Sequence, residues 1–286
     1  MSRITKPDFS PPKTLKDGEK PPEDESEEEK KRREDDALDP NNEGANKKVY
    51  LSVVMSLMWL ARLTRADIRF PTTYLASRSQ NPTRACMLAA ARILKYLQDT
   101  KVQVIHFKGG DEIRGLGIRV HIDASHGTHL DGRGHGGIFV TMGSGYIHAR
   151  STKVKMITIS STETEQYVMC EGTTYAIWGR AMMRSFGSSL VGASKMYQDN
   201  AAAIGMTRRN GTFARTKHVL IRKNFTREAV ENGDTKWHFV RTANLMPDML
   251  TKCVPRSTML KHMKAVGMMD AEDEEKSQNE QTVGAL

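Results

Sequence analysis

Four carboxylates, set in short motifs across 126 residues of this 286-residue chain, are the side chains best suited to chemistry. Asp123 ends the alternation Val120-His121-Ile122-Asp123, and Glu165 closes Ser160-Ser161-Thr162-Glu163-Thr164-Glu165. Asp199 follows Tyr197-Gln198, and Asp248 opens Asp248-Met249-Leu250-Thr251-Lys252. Each has a plain alternative. Asp123 sits among Ala124, Ser125 and Gly127, the company in which Asp forms turns. Asp199 has the position of a helix cap, and Asp248, just after Pro247, that of a first-turn acid. Glu163 and Glu165 lie about 200° apart around a helix, so only one of them faces any one site. Both sides carry apolar residues, and periodicity does not choose between the two. In this order the four suggest a carboxylate cluster gathered from distant segments, the arrangement that holds two divalent cations over a phosphodiester. Such a site would cut a nucleic-acid strand.

Charge narrows the partners. The chain carries a net +9, yet residues 1–48 carry −3 and residues 270–286 carry −5, leaving +17 on residues 49–269. A polyanion is the natural partner of so basic a body; a basic soluble protein without an anionic ligand is the competing explanation. Cys86, Cys170 and Cys253 are far apart with no Cys-x-x-Cys pair, which argues against a disulfide framework or structural zinc and for a reducing compartment. No apolar run reaches the roughly 18 residues of a membrane span. The start, Met1-Ser2-Arg3-Ile4-Thr5-Lys6-Pro7, lacks an apolar h-region. An intracellular protein without a membrane partner is expected.

The elements that must position the acids follow from periodicity. Residues 1–47, rich in Pro, Glu, Asp and Lys, read as a disordered charged leader. Apolar residues at helical spacing then mark a helical unit over 49–100. Its first helix carries the stripe Leu51, Val54, Met55 and Met58. A second spans about 64–78 with Thr64 as cap, Asn81-Pro82-Thr83 breaks it, and a third runs from about Thr83 to Leu97. Beyond Lys101 the period becomes two. Strands are expected at 102–106, 117–122, 136–142 and 146–149, the last two joined across Gly143-Ser144-Gly145. A long helix from Ser161 to Ser185, capped by Ser160 or Ser161, is followed by a strand ending at Asp199. Then come helices at about 200–208 and 216–231, a strand at 236–240, and a last helix near Pro247. This order implies an α/β domain over 101–267, a mixed sheet with helices packed on it. An acidic, polar tail over 268–286 reads as disordered.

Several of these segments together resemble the copia-type LTR retrotransposon polyprotein in the region after its reverse transcriptase. They are Thr64-Arg65-Ala66-Asp67-Ile68, Asn81-Pro82-Thr83, Arg92-Ile93-Leu94-Lys95-Tyr96-Leu97, Ser160 to Glu165, Asp199-Asn200, Arg215-Thr216-Lys217-His218-Val219-Leu220-Ile221-Arg222 and Asp248 to Lys252. The likeness covers roughly residues 38–267: a helical connection followed by a ribonuclease H domain. It implies a ribonuclease H-like fold that hydrolyses the RNA strand of an RNA–DNA hybrid, with the reverse transcriptase portion of the same polyprotein as partner. It also implies a cytoplasmic (virus-like particle) or nuclear location. By position, Asp123 would bridge two Mg²⁺ ions (or Mn²⁺) about 4 Å apart. Asp248 would complete the shell of the water-activating ion, and Glu165 and Asp199 would hold the ion at the leaving oxygen.

Oxygen ligands suit such hard cations. Lys153 and Lys155 after the hairpin, with Arg215, Lys217, His218, Arg222 and Arg227 on and before one helix, would grip the hybrid backbone; a solvated face is the alternative. Three departures stand out. Ala66 replaces the family's Pro and Gln166 its aromatic, while Pro247 replaces Ala before the last Asp and could tilt that helix. Absence of a Tyr-x-Asp-Asp motif, a Cys/His array and a protease signature marks the chain as the tail of a polyprotein rather than a whole one. A catalytically inactive remnant that only binds nucleic acid is the rival expectation.

Overall fold

The computed structural model describes residues 47–107, 117–188, 192–207 and 217–271. Most of the charged leader, the acidic tail beyond Ala271, and Arg215 lie outside them. The chain divides into two compact units, Met1–Lys101 and Val102–Leu286.

The first unit contains α1 (Lys47–Leu63), a 3-10 turn (Ala66–Ile68), α2 (Arg69–Ala76) and α3 (Arg84–Asp99). Tyr50, Val54, Leu57 and Ala61 form the buried stripe of α1 and pack with Ile68, Leu75, Ala90 and Ile93. The stripe expected from sequence was offset, since Leu51 and Met55 are exposed. Helix α1 is apolar on several sides, so spacing alone left its inward face undetermined. The expected 64–78 helix is also corrected. Pro71 is tolerated only in a first turn, so α2 begins at Arg69 and the 3-10 turn precedes it. Thr83 caps α3, its side chain accepting from the Cys86 N–H at 3.2 Å.

The motif Thr64-Arg65-Ala66-Asp67-Ile68 proves architectural. The buried Arg65 guanidinium pairs with Asp67 at 2.7 Å and donates to the Thr100 hydroxyl at 2.7 Å and carbonyl at 3.0 Å. The Tyr96 hydroxyl donates to Asp67 at 2.8 Å. Those bonds tie the end of α3 to the turn that starts α2.

The second unit runs β1 (Gln103–Ile105), β2 (Arg119–Ser125), β3 (His135–Met142), β4 (Gly145–Lys153), α4 (Ser161–Ser185), β5 (Ser194–Gln198), α5 (Ala201–Met206), α6 (Lys217–Glu231), β6 (Thr235–Phe239), a 3-10 turn (Thr242–Asn244), α7 (Asp248–Thr251), α8 (Arg256–Ala265) and β7 (Met268–Asp270). The expected α/β class, a mixed sheet flanked by helices after a small helical unit, is what forms. Five strands lie in the order β4-β3-β2-β5-β6. Strands β2, β3 and β4 are antiparallel neighbours, whereas β2–β5 and β5–β6 are parallel. Strand β1 pairs instead with β7 as a separate antiparallel ribbon. Met268–Asp270, placed in the tail on composition, are therefore strand residues.

The core lies between sheet and α4, where Val120, Ile122, Ile138 and Val140 meet Val168, Met169 and Ala176. Gly172 lets α4 approach closely, for a Cβ there would stand 2.2 Å from Ile122 Cδ1. That approach sets the height of the first turns of α4 above the sheet.

Candidate metal centre

Strands β2 and β5 are paired in register from Arg119↔Lys195 to His121↔Tyr197 and no further. Beyond that rung Asp123 lies toward the end of β2 and Asp199 directly follows β5, so the two flank the crevice at the carboxyl ends of two parallel strands, beside an antiparallel neighbour. Ligands of open α/β sheets gather at such a switch point. By alternation Asp123 faces away from Val120 and Ile122, which are buried in the core.

Glu165 reaches the same crevice from α4, whereas Glu163 serves the helix end. The Ser160 side chain accepts from the Glu163 N–H at 3.2 Å, and the Glu163 carboxylate accepts from the Ile159 N–H at 2.8 Å, a capping-box arrangement. Asn200 caps α5, accepting from Ala203 N–H at 3.0 Å. Asp199 is therefore spared that task.

One carboxylate oxygen from each of Asp123, Glu165 and Asp199 lies within 4.8 Å of the others. Asp123 and Glu165 are only 4% and 6% exposed. Burial, then the charges of Asp248 and Asp199, push the Asp123 carboxyl up to about 6, against a lowering hydrogen bond from Thr251 and the Lys252 charge. Burial and the charges of Asp123 and Asp199 push Glu165 up to about 9, although hydrogen bonds from Gln198 and the Ala124 backbone oppose this. Burial and mutual repulsion keep the acids of this pocket from ionising together without a cation. Hard oxygen donors fit a small divalent cation.

Asp248 is near but differently engaged. It is buried, and its Oδ1 sits 2.6 Å from Lys252 Nζ. It lies outside the three-carboxylate group. Pro247 is the N-cap of α7, without a side-chain cap bond, and that helix is only four residues long. The last helix expected from sequence is thus two, because Pro255 holds the chain extended ahead of α8.

Residues that position the acids were not singled out from sequence. Gln198, fully buried, donates to Glu165 Oε2 at 2.5 Å and accepts from the Asp199 N–H at 2.7 Å. Thr251 donates its hydroxyl to Asp123 Oδ2, and Thr242 donates to Asp199 Oδ2 at 2.6 Å. Alternation along β5 places Gln198 opposite Tyr197, and that was the one available signal. Helix α7 is held by Ser151, whose hydroxyl donates to the Leu250 carbonyl at 2.7 Å. Ser151 then accepts from His135 Nε2 at 2.7 Å, and His135 Nδ1 meets His129 Nε2 at 2.9 Å. Burial and the neighbouring His129 lower His135 to about 3, which keeps the ring neutral.

The basic candidates scatter. Lys153 is paired with Asp131 at 2.6 Å, and Lys155 is exposed. On α6, the Arg222 guanidinium lies 4.6 Å from the Tyr167 ring centroid, and Arg227 pairs with Glu231 at 3.3 Å. The side chains of Lys217 and His218, like all of Arg215, lie outside what the structure describes. A basic rung went unnoticed in the sequence: Arg119, Lys195 and Lys236 stand in direct register across β2, β5 and β6.

Among known proteins, no family model matches the chain. It is 30% identical over 223 residues to "Retrovirus-related Pol polyprotein from transposon TNT 1-94" of Nicotiana tabacum. It is 29% identical over 220 residues to the corresponding polyprotein from transposon RE1 of Arabidopsis thaliana. The matches cover 78% and 77% of this chain but only 16% and 15% of those polyproteins. Among solved structures, the N-terminal RNase H domain of Rv2228c from Mycobacterium tuberculosis is 13% identical with a TM-score of 0.35, over 52% of this chain and 98% of that one. The resemblance read from the motifs thus extends over about three quarters of the chain. Among the described residues no helix is long and apolar enough to cross a membrane.

Proposed function

We propose that this relative of transposon Pol polyproteins is the ribonuclease H portion of a copia-type element, hydrolysing the RNA strand of RNA–DNA hybrids with a divalent metal. The observation that carries the proposal is the convergence of Asp123, Glu165 and Asp199, with ligand atoms within 4.8 Å of one another. They come from β2, from α4 and from the residue just after β5, segments far apart in sequence. Together they would hold Mg²⁺ or Mn²⁺, and Asp248 would complete the set from α7. Two bound cations would supply charge stabilisation at the attacking and leaving oxygens of an in-line displacement.

The chain's own part is to aim its carboxylates, and a bound cation would favour their ionised form. Gln198 donates to one oxygen of Glu165, and the Ala124 N–H also donates to that carboxylate. Burial excludes water from Asp123 and Glu165, which strengthens every charge interaction there. The exposed Lys155, with Lys153, Arg215, Lys217 and His218, would meet hybrid phosphates. Arg222 and Arg227 would extend that surface along α6, and the Arg119–Lys195–Lys236 rung adds further positive charge. Like charges directly opposite in a sheet are destabilising, so a rung of three favours an anionic partner. The helical first unit would be the connection to a reverse transcriptase, within a cytoplasmic particle or the nucleus.

The test is cleavage of an end-labelled RNA–DNA hybrid with Mg²⁺, comparing wild type and Asp123→Asn. The expected outcome is metal-dependent cleavage of the RNA strand that the substitution lowers at least about 100-fold. Equal cleavage by both proteins removes the proposal. The rival, a binding-only remnant, is favoured by one observation: Asp248 is paired with Lys252 and lies outside the three-carboxylate group. Salt-sensitive hybrid binding with no turnover in Mg²⁺ or Mn²⁺ is its signature.

A further inference from the structure

We propose that the Lys252 ammonium stands in for the second divalent cation of the acidic cluster, so that a second ion binds only by displacing it. The inference rests on the metal-nuclease reading above. Three observations converge on it.

First, the acids divide unequally. Asp123, Glu165 and Asp199 form one group that can share an ion. The fourth, Asp248, has a side chain only 11% exposed and places Oδ1 2.6 Å from Lys252 Nζ. A carboxylate so buried needs a cation beside it, and Lys252 is paired with it at 2.6 Å.

Second, the ammonium reaches beyond Asp248. The charges of Asp123 and Asp199 act on Lys252 too, and Lys252 acts in turn on Asp123. It is thus a counter-ion shared by Asp248, Asp123 and Asp199. An ammonium and a divalent ion cannot both occupy the face of one carboxylate without strong repulsion.

Third, the device is built to let go. Lys252 follows the last turn of α7 with extended backbone, φ −155° and ψ 167°, and its side chain is 46% exposed. Its flexible stem can turn the head into water. The preceding residue, Thr251, donates its hydroxyl to Asp123 Oδ2. Two adjacent residues therefore each engage one oxygen, of Asp123 and of Asp248. Both contacts belong to one chain segment, so they can yield together.

The experiment is a calorimetric titration of the full chain with Mn²⁺, for wild type, Lys252→Met and Lys252→Arg. Wild type should show two events, the second weaker by about tenfold or more. Lys252→Met should tighten the second event by about tenfold while moving the first by less. Lys252→Arg keeps the charge and should retain the weak second event. Without metal, Lys252→Met should melt below wild type, and Mn²⁺ should raise its midpoint by more than it raises that of wild type. Two ions bound by wild type with affinities unchanged in Lys252→Met would refute displacement and leave the metal reading standing. No Mn²⁺ uptake by wild type, with Asp123→Asn indistinguishable from it, brings down that reading and this inference together. If Lys252→Met does not fold, Lys252→Gln removes the charge with polarity retained and is read by the same criteria.

Discussion

Glu165 is the residue at which burial and charge conflict most. Its carboxyl is held up to about 9 by burial and by Asp123 and Asp199, against an ordinary value of about 4.3. The folded chain therefore favours the protonated acid. That contribution is fully present below about pH 4.3 and is lost as pH rises toward 9. Asp123, held up to about 6, acts in the same direction over its lower range. Metal-free wild type should thus lose thermal stability between pH 5 and pH 9 relative to Glu165→Gln, which lacks this titration. Parallel melting curves for the two across that range would contradict the assignment. Excess Mg²⁺ should flatten the wild-type slope, because a cation binds the deprotonated acid.

Gln198 supports a second prediction at this scale. Its amide is shared between Glu165 and the Asp199 backbone, so Gln198→Leu should weaken Mn²⁺ affinity about 10–100-fold. Calorimetry reads this directly, and an unchanged affinity would reduce Gln198 to packing. Nothing in sequence spacing identified Gln198, since its importance comes from two partners 33 residues away and next door. The choice of Glu165 over Glu163 was likewise closed to periodicity. It was settled where Ser160 and Ile159 engaged Glu163 in the cap.

Among the elements, α4 was the most legible and α7 the least. Ser160 as cap and a 25-residue span from Ser161 to Ser185 follow from local signals. Helix α7 has four residues, too few to nucleate alone, and exists because the sheet receives it. Gly137 on β3 makes the room. A Cβ there would lie 2.8 Å from Leu250 Cβ and from Thr251 Cγ2, and 2.9 Å from the Pro247 carbonyl. Gly137→Ala should cost about 1–3 kcal/mol in urea denaturation through overpacking. It should also reduce hybrid cleavage beyond any loss of folded protein, since it moves the segment that carries Asp248. Ser151→Ala tests the opposite side of the same element. Losing the bond to the Leu250 carbonyl should cost about 1 kcal/mol, and a stability equal to wild type would show that α7 is held otherwise.

At the scale of the whole molecule, the two units rest on different chemistry. The first has a small helical core closed by the buried Arg65–Asp67 pair with Tyr96 and Thr100. Asp67→Ala leaves a buried guanidinium without its carboxylate and should destabilise this unit by about 3–5 kcal/mol, as read by chemical denaturation. The second unit carries the acids within a body of strongly positive charge. Its affinity for an RNA–DNA hybrid should fall with salt, with a log–log slope near −0.9 for each phosphate neutralised.

The amino-acid order alone determined the α/β class, the boundaries of α4, the strands of the sheet and the identity of the candidate acids. Those depend on periodicity, capping and punctuation, which act between near neighbours. Which acids meet, which amide aims them, and that Asp248 turns to Lys252 were decided only when β2, β5, α4 and α7 came together. Such contacts join residues as far apart as the 128 positions between Asp123 and Thr251. No local pattern encodes them, because burial and charge at one crevice are properties of the packed chain.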